Sequence, residues 1–208
     1  MKRRDFLAFT LYLTILGCAK KRKGKRLQKG SKVLAFGDSM TFGYGASSQN
    51  SSYPAVLARL TGLDIVNGGK NGDTTSDGLA RLTAMLDETK PELVLLCLGG
   101  NDFLQGLSVT KAKQNLIKMI EIIKSKNIEI VLIAVPKADM KALFGIVSDH
   151  PIYKEIAREM GVLLFENEWS KILSNSNYKV DPIHANDKGN EIFAIDFADF
   201  LRKSGFVG

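Results

Sequence analysis

Five short apolar runs, at residues 33–36, 63–66, 93–98, 128–135 and 162–165, alternate with segments whose apolar residues recur at helical spacing. Leu79, Leu82, Met85 and Leu86 keep that spacing, as do Ala112, Leu116, Met119, Ile120 and Ile123. Short continuous apolar runs mark strands buried on both faces, and strands that alternate with helices build a parallel sheet covered on both sides. The pattern therefore predicts an α/β fold, a three-layer sandwich of flavodoxin-like type with about five parallel strands. A last helix is expected from near Asp187, carrying Phe193, Phe197, Phe200 and Leu201. No repeat or second domain is visible. Residues 136–150 lack periodicity, yet Met140, Leu143, Phe144, Ile146 and Val147 give them more apolar surface than a plain solvent loop needs. A loop that long inside a domain is usually functional.

The first thirty residues differ in kind. Lys2, Arg3 and Arg4 precede an apolar stretch at 6–17, and Cys18 follows at once. That stretch is too short to span a ~30 Å hydrocarbon core but suits the apolar region of an export signal. Arg3-Arg4-Asp5-Phe6-Leu7 resembles a twin-arginine signal, with Ala8 where a basic residue usually follows. Ile15-Leu16-Gly17-Cys18 resembles a bacterial lipobox, which implies cleavage after residue 17 and acylation of Cys18. The expected organisation is an export signal at 1–17, a basic tether at 18–31 and one domain at 32–208. Of the formal +7 charge, residues 1–30 supply ten Lys/Arg and one Asp, and the rest carry 19 basic and 21 acidic side chains. The basic excess thus belongs to the leader, where it suits anionic lipid, and no basic face with interleaved aromatics suggests a nucleic acid. With Cys18 lipidated, Cys97 is left alone in an apolar run, so neither a disulfide framework nor a cysteine metal site is expected.

Chemistry concentrates at four places: Gly37-Asp38-Ser39, Asn71-Gly72-Asp73-Thr74, Gly99-Gly100-Asn101-Asp102 and Asp181-Pro182-Ile183-His184. The first three follow strands, and in a parallel sheet the carboxyl ends of all strands share one edge. Singly, each has a plain structural use, as a helix cap or a turn. Together they suit nucleophilic catalysis. A serine hydroxyl needs a base within hydrogen-bond reach. The chain has two histidines, and His184 has Asp181 three residues earlier to fold back on its ring. His150, between Asp149 and Pro151, reads as a turn. Three donors suit an oxyanion: the Ser39 N–H, the Gly72 N–H and the Asn101 amide. Glycine at 72 would let the backbone approach the reacting carbonyl without a Cβ in the way.

Other sites are excluded. Thr41 stands where the nucleophile elbow of α/β-hydrolases wants its second glycine. Gly69-Lys70 has Asn71 where a P-loop wants Ser or Thr, and Gly43-Tyr44-Gly45 lacks the third glycine of a dinucleotide fingerprint. Two histidines without clustered carboxylates give no metal-ligand spacing, and no cofactor is implied.

From about Lys32 to Leu201 the chain resembles the SGNH hydrolases, or GDSL-type esterases, nearest the bacterial thioesterase/lysophospholipase and arylesterase branch. The four blocks and Tyr53-Pro54 carry the resemblance. It implies Ser39 as nucleophile, Gly72 and Asn101 completing the oxyanion hole with the Ser39 N–H, His184 as base and Asp181 as its orienter. The expectation is an exported, lipid-anchored serine hydrolase in a bacterial envelope, on the periplasmic or outer side of a membrane. It would cleave carboxylic esters, with thioesters chemically feasible. Phe103, Leu104 and Leu107 with the 136–150 loop suggest a greasy acyl pocket, hence lysophospholipids or medium-chain esters. The rivals are a deacetylase of envelope polysaccharide, which needs only a small pocket, and a non-catalytic envelope binding protein.

Overall fold

The computed structural model describes residues 24–137 and 147–208. The export signal, Cys18, residues 18–23 of the tether, and Met140, Leu143, Phe144 and Ile146 lie outside the described residues. Five strands form one sheet: β1 (Lys32–Gly37), β2 (Asp64–Gly69), β3 (Leu93–Cys97), β4 (Glu129–Ile133) and β5 (Leu163–Phe165). All pairings are parallel and the order is β2-β1-β3-β4-β5, the flavodoxin-like arrangement expected. The central strand β3 is buried along its whole length, as its unbroken run of Leu, Val and Cys requires. Cys97 sits there as a buried free thiol.

Among the described residues there are eight α-helices: α1 (Ser39–Phe42), α2 (Tyr53–Thr61), α3 (Thr75–Thr89), α4 (Gly100–Leu104), α5 (Val109–Ser125), α6 (Ile152–Met160), α7 (Glu168–Leu173) and α8 (Asp187–Lys203). Helices α3, α5 and α6 pack side by side on one face of the sheet, and α2, α8 and α7 on the other. The second layer is sealed by aromatics. Trp169 stacks on Phe193 with centroids 3.9 Å apart, and Tyr53 and Phe165 pack against the same ring. Local chemistry sets where the helices begin. Thr74 and Asp77 form a reciprocal capping box at α3, the Ser108 hydroxyl accepts from the Lys111 N–H at α5, and the Asn186 side chain accepts from the Gly189 N–H at α8.

Two details differ from the sequence pattern. β2 continues past its apolar start through Asn67-Gly68-Gly69, where Gly69 pairs with Gly37. Glycine is required at 69 because a Cβ would lie 2.1 Å from the Phe42 backbone nitrogen. Residues 24–31, the carboxyl-side part of the expected tether, lie against the domain: the Gly24 N–H donates to Ser204 O (2.8 Å), the Leu27 N–H donates to Phe206 O (2.7 Å), and Leu27 is buried. The two ends of the 136–150 stretch are pinched together by an antiparallel bridge, Pro136 to Asp149, and by the Lys137 N–H donating to Ser148 O at 3.0 Å.

Candidate active site

β1 ends at Gly37 and the chain turns at once into α1, whose first residue is Ser39. This turn is tight enough to need glycine at 37. A Cβ there would lie 2.1 Å from Thr41 Oγ1 and 2.5 Å from the Cys97 carbonyl oxygen. Asp38 caps the helix, its Oδ1 accepting from the Met40 N–H at 3.0 Å. The hydroxyl of Ser39 is thereby held above the carboxyl edge of the sheet.

Asp181 to His184 form a closed turn just before α8. The Val180 N–H donates to His184 O at 3.0 Å, and Asp181 Oδ1 accepts from the N–H groups of Ile183 (2.9 Å) and His184 (2.8 Å). Asp181 Oδ2 lies 2.7 Å from His184 Nδ1, and His184 Nε2 lies 2.9 Å from Ser39 Oγ. A carboxylate at Nδ1 selects the tautomer with the proton there, leaving Nε2 to accept from the serine. Burial works against the Asp181 anion, but the His184 ring and the two backbone N–H groups outweigh it and hold this carboxyl below its usual range. The Tyr44 ring packs on His184 with centroids 4.5 Å apart.

Gly72 and Asn101 come from the loops after β2 and β3. Gly72 has φ +81°, a left-handed conformation that favours glycine. An added Cβ there would meet nothing within 4 Å, so its backbone angle rather than crowding within the chain explains the residue. Asn101 lies on α4, and its Nδ2 donates to Asp73 O at 2.9 Å, tying the two loops together. Gly99 leads into α4 at φ +122°, where a Cβ would come within 2.4 Å of Tyr153 Oη. The Tyr153 hydroxyl in turn donates to Leu98 O at 2.7 Å.

Every residue of the expected constellation therefore converges on one edge, while His150 does not join it. Its ring stacks on Phe103 (4.2 Å, 14°) and its Nδ1 accepts from the Ile152 N–H at 3.3 Å. Asp149 bonds the Asn167 N–H and the Ser170 hydroxyl instead of the His150 ring. Among the described residues, no group of three or more His, Cys, Asp or Glu is placed to hold a metal ion.

Sequence reasoning missed the struts behind the site. Arg81 Nε donates to Asp73 Oδ2 at 2.6 Å, a terminal nitrogen donates to Gly37 O at 2.9 Å, and the guanidinium lies 4.1 Å from the Phe36 ring centroid. One side chain thus links the loop of Gly72 to the strand that delivers Ser39. Asp102 accepts from the N–H and hydroxyl of Thr75 (2.8 and 2.6 Å), and Asn115 Nδ2 donates to the same hydroxyl at 3.1 Å, joining α3, α4 and α5 beneath Asn101. The available signal was the spacing of eight residues from Asp73 to Arg81, which lies within the helical pattern of Leu79, Leu82, Met85 and Leu86.

Comparison with known proteins gives the family. The family model for the GDSL-like lipase/acylhydrolase family matches residues 35–192. The chain belongs to this family. An arylesterase of Vibrio mimicus is 34% identical over 161 residues, which cover 74% of this chain and 79% of the relative. Thioesterase 1/protease 1/lysophospholipase L1 of Escherichia coli K12 is 33% identical over 144 residues, 67% of each chain. Among solved structures, the psychrotrophic esterase EstA from Pseudoalteromonas sp. superposes with a TM-score of 0.73 at 23% identity, covering 83% of this chain and 97% of that one, a likeness of fold. As a member of the GDSL/SGNH family, this protein is an esterase, a carboxylic ester hydrolase.

Proposed function

We propose that the protein hydrolyses acyl esters through a covalent acyl-enzyme on Ser39. The observation that carries this reading is the unbroken line from Ser39 Oγ to His184 Nε2 (2.9 Å) and from His184 Nδ1 to Asp181 Oδ2 (2.7 Å). Ser39 Oγ attacks the acyl carbonyl carbon as its proton passes to His184 Nε2, and Asp181 stabilises the resulting imidazolium. The carbonyl oxygen becomes an oxyanion facing the Ser39 N–H, the Gly72 N–H and the Asn101 amide. Ser39 stands at the first position of α1, so its N–H has no preceding helical turn to bond, and the Asn101 amide keeps a second N–H beyond the one given to Asp73. His184 then protonates the leaving alcohol, the acyl–oxygen bond breaks, and water repeats the cycle on the acyl-enzyme.

Phe42, Tyr44, Val180 and Ile183, from the segments that carry Ser39 and His184, and Leu104 and Leu107, which follow Asn101, are exposed apolar side chains. Such apolar surface favours acyl chains over acetyl groups, hence lysophospholipids or medium-chain esters, and agrees with a relative named lysophospholipase L1. An optimum at acetyl in a series of p-nitrophenyl esters from acetyl to palmitoyl would select the polysaccharide deacetylase reading instead. The Pseudoalteromonas esterase is described as inhibited by monoethylphosphonate, which suggests a fluorophosphonate probe. Labelling of the protein but not of Ser39→Ala, together with a product burst on an activated aryl ester, is the expected result. Unchanged turnover in Ser39→Ala would refute the mechanism, and an unlabelled protein would revive the non-catalytic binding reading.

We further propose that the protein is exported and held in the bacterial envelope by lipid on Cys18, on the strength of the leader sequence. Among the described residues no helix is long and apolar enough to cross a membrane. Metabolic labelling with a fatty acid, lost in Cys18→Ser, tests the anchor.

A further inference from the structure

We propose that Asp38 is a positioning residue that works as a neutral acid, and that loss of its proton defines the alkaline limb of activity. The proposal rests on the acyl-transfer reading of Ser39. Asp38 immediately precedes the nucleophile and is only 2% exposed. Its Oδ1 fixes the first turn of α1 through the Met40 N–H. Its Oδ2 faces the head of α4, 3.5 Å from where a Cβ on Gly100 would sit, next to Asn101. The carboxyl thus belongs to the residue before Ser39 and approaches the residue before Asn101, two of the proposed oxyanion donors.

Among the described residues no ion pair reaches Asp38, and the Arg81 guanidinium, which bonds Gly37 O beside it, is paired with Asp73. Two other buried carboxyls face it, Asp73 from the loop after β2 and Asp102 from α4. Asp73 has the Arg81 guanidinium at 2.6 Å and the Lys70 ammonium at 3.7 Å. Asp102 has the Thr75 N–H and hydroxyl. The other titratable groups that feel Asp38 are the Cys97 thiol on β3 and the phenols of Tyr53 on α2 and Tyr153 on α6. All three are buried, and burial pushes each well above its ordinary range, so they stay neutral and give no positive charge. Burial above all raises the Asp38 carboxyl to about 7; its backbone hydrogen bonds oppose this and the charges of Asp73 and Asp102 add to it.

Near neutral pH the group is therefore poised between two states. Protonated, it adds no negative charge beside the oxyanion donors. Ionised, it sets a carboxylate beside the place where negative charge develops in the transition state. At the effective dielectric of a partly buried site, a charge several ångströms away changes a rate by roughly 10- to 100-fold.

The test is kcat/KM against pH from 5.5 to 9.5 with an activated aryl ester, for the full chain, Asp38→Asn and Asp38→Ala. The amide of Asp38→Asn keeps the acceptor for Met40 N–H and has no proton to lose. Expected are a wild-type decline of about 10- to 100-fold above neutrality, its disappearance in Asp38→Asn, and a large loss at every pH in Asp38→Ala. An alkaline limb with the same midpoint in Asp38→Asn overturns the proposal, as does a folded Asp38→Asn that is inactive throughout. Should the variants fail to fold, carboxyl-carbon NMR of the wild-type protein decides: the Asp38 resonance titrates near neutrality if the inference is right and below pH 5 if it is wrong. Fluorophosphonate labelling at pH 6 separates the two levels. An unlabelled protein sinks the serine mechanism itself, whereas a labelled one with an unaltered limb sinks only the role of Asp38.

Discussion

Replacing Arg81 with alanine should damage both the stability and the turnover of this enzyme. Arg81 is 21% exposed and its partner Asp73 is 4% exposed, so the pair is largely sheltered from water. Breaking such a pair by deleting one partner typically costs about 3–5 kcal/mol, because the remaining charge stays buried and uncompensated. Here the Lys70 ammonium, 3.7 Å from Asp73, remains to offset part of that. A loss of about 2–4 kcal/mol is expected, or about 5–15 °C in Tm for a domain of this size. Turnover should fall separately. Arg81 is the side chain that holds both Asp73 and Gly37 O, and so fixes the Gly72 loop relative to the Ser39 strand. A misplacement of ~1 Å in such a constellation can cost ~10²-fold, which should appear in kcat with KM little changed. The assays are urea unfolding and steady-state kinetics on a p-nitrophenyl ester below the transition. Arg81→Lys should recover much of the stability but less of kcat, since an ammonium cannot reach two acceptors as a planar fork does. Normal kcat in a destabilised Arg81→Ala would refute the positioning argument and leave Arg81 a purely structural residue.

Asn101→Ala should reduce kcat by about 10²–10³ with a small change in KM, measured on the same ester. Asp181→Asn should cost about 10⁴ in kcat by favouring the wrong imidazole tautomer, with fluorophosphonate labelling slowed in parallel. Gly37→Ala should destabilise by ~3 kcal/mol or more, because its Cβ meets the Cys97 carbonyl as well as Thr41; a shift in the urea midpoint checks this. Asp38 also predicts a pH dependence of stability. Its folded-state value, about 7, lies above its ordinary 3.8, so the folded chain binds the proton more tightly. The contribution is full below about pH 4, fades as pH rises through 7 and is worth a few kcal/mol. Unfolding free energies at pH 4 and pH 7.5 should therefore differ less in Asp38→Asn than in the wild type.

The sheet was legible because four of its strands are nearly unbroken runs of Leu, Ile, Val and Phe, which only burial on both faces tolerates. The end of β2 was not, since Asn67-Gly68-Gly69 is chosen for the close approach of α1 and carries no apolar signal. Helices α2, α6 and α7 were not singled out. α7 has six residues, too few for a period to show, and nine-residue α6 follows a stretch without periodicity. The site was legible where chemistry demands particular side chains, at Ser39, Asp181 and His184. Its supports were not. Arg81 reads as one more cation on a polar helix face, and Asp38 as a turn residue, until the fold brings Asp73, Gly37 and Gly100 to them. What holds a site in place is written in tertiary contacts, not in sequence spacing.

The direction of β1 carries a practical consequence. Residues 24–31 reach the domain at the strand's amino end, beside Gly62 and residues 204–206, and Ser39 leaves it at the opposite pole. Six residues of strand separate the two by about 20 Å. A molecule grafted to a bead or an electrode at residues 24–31 would thus present its catalytic mouth outward. It would meet what diffuses past more readily than what lies in the supporting surface.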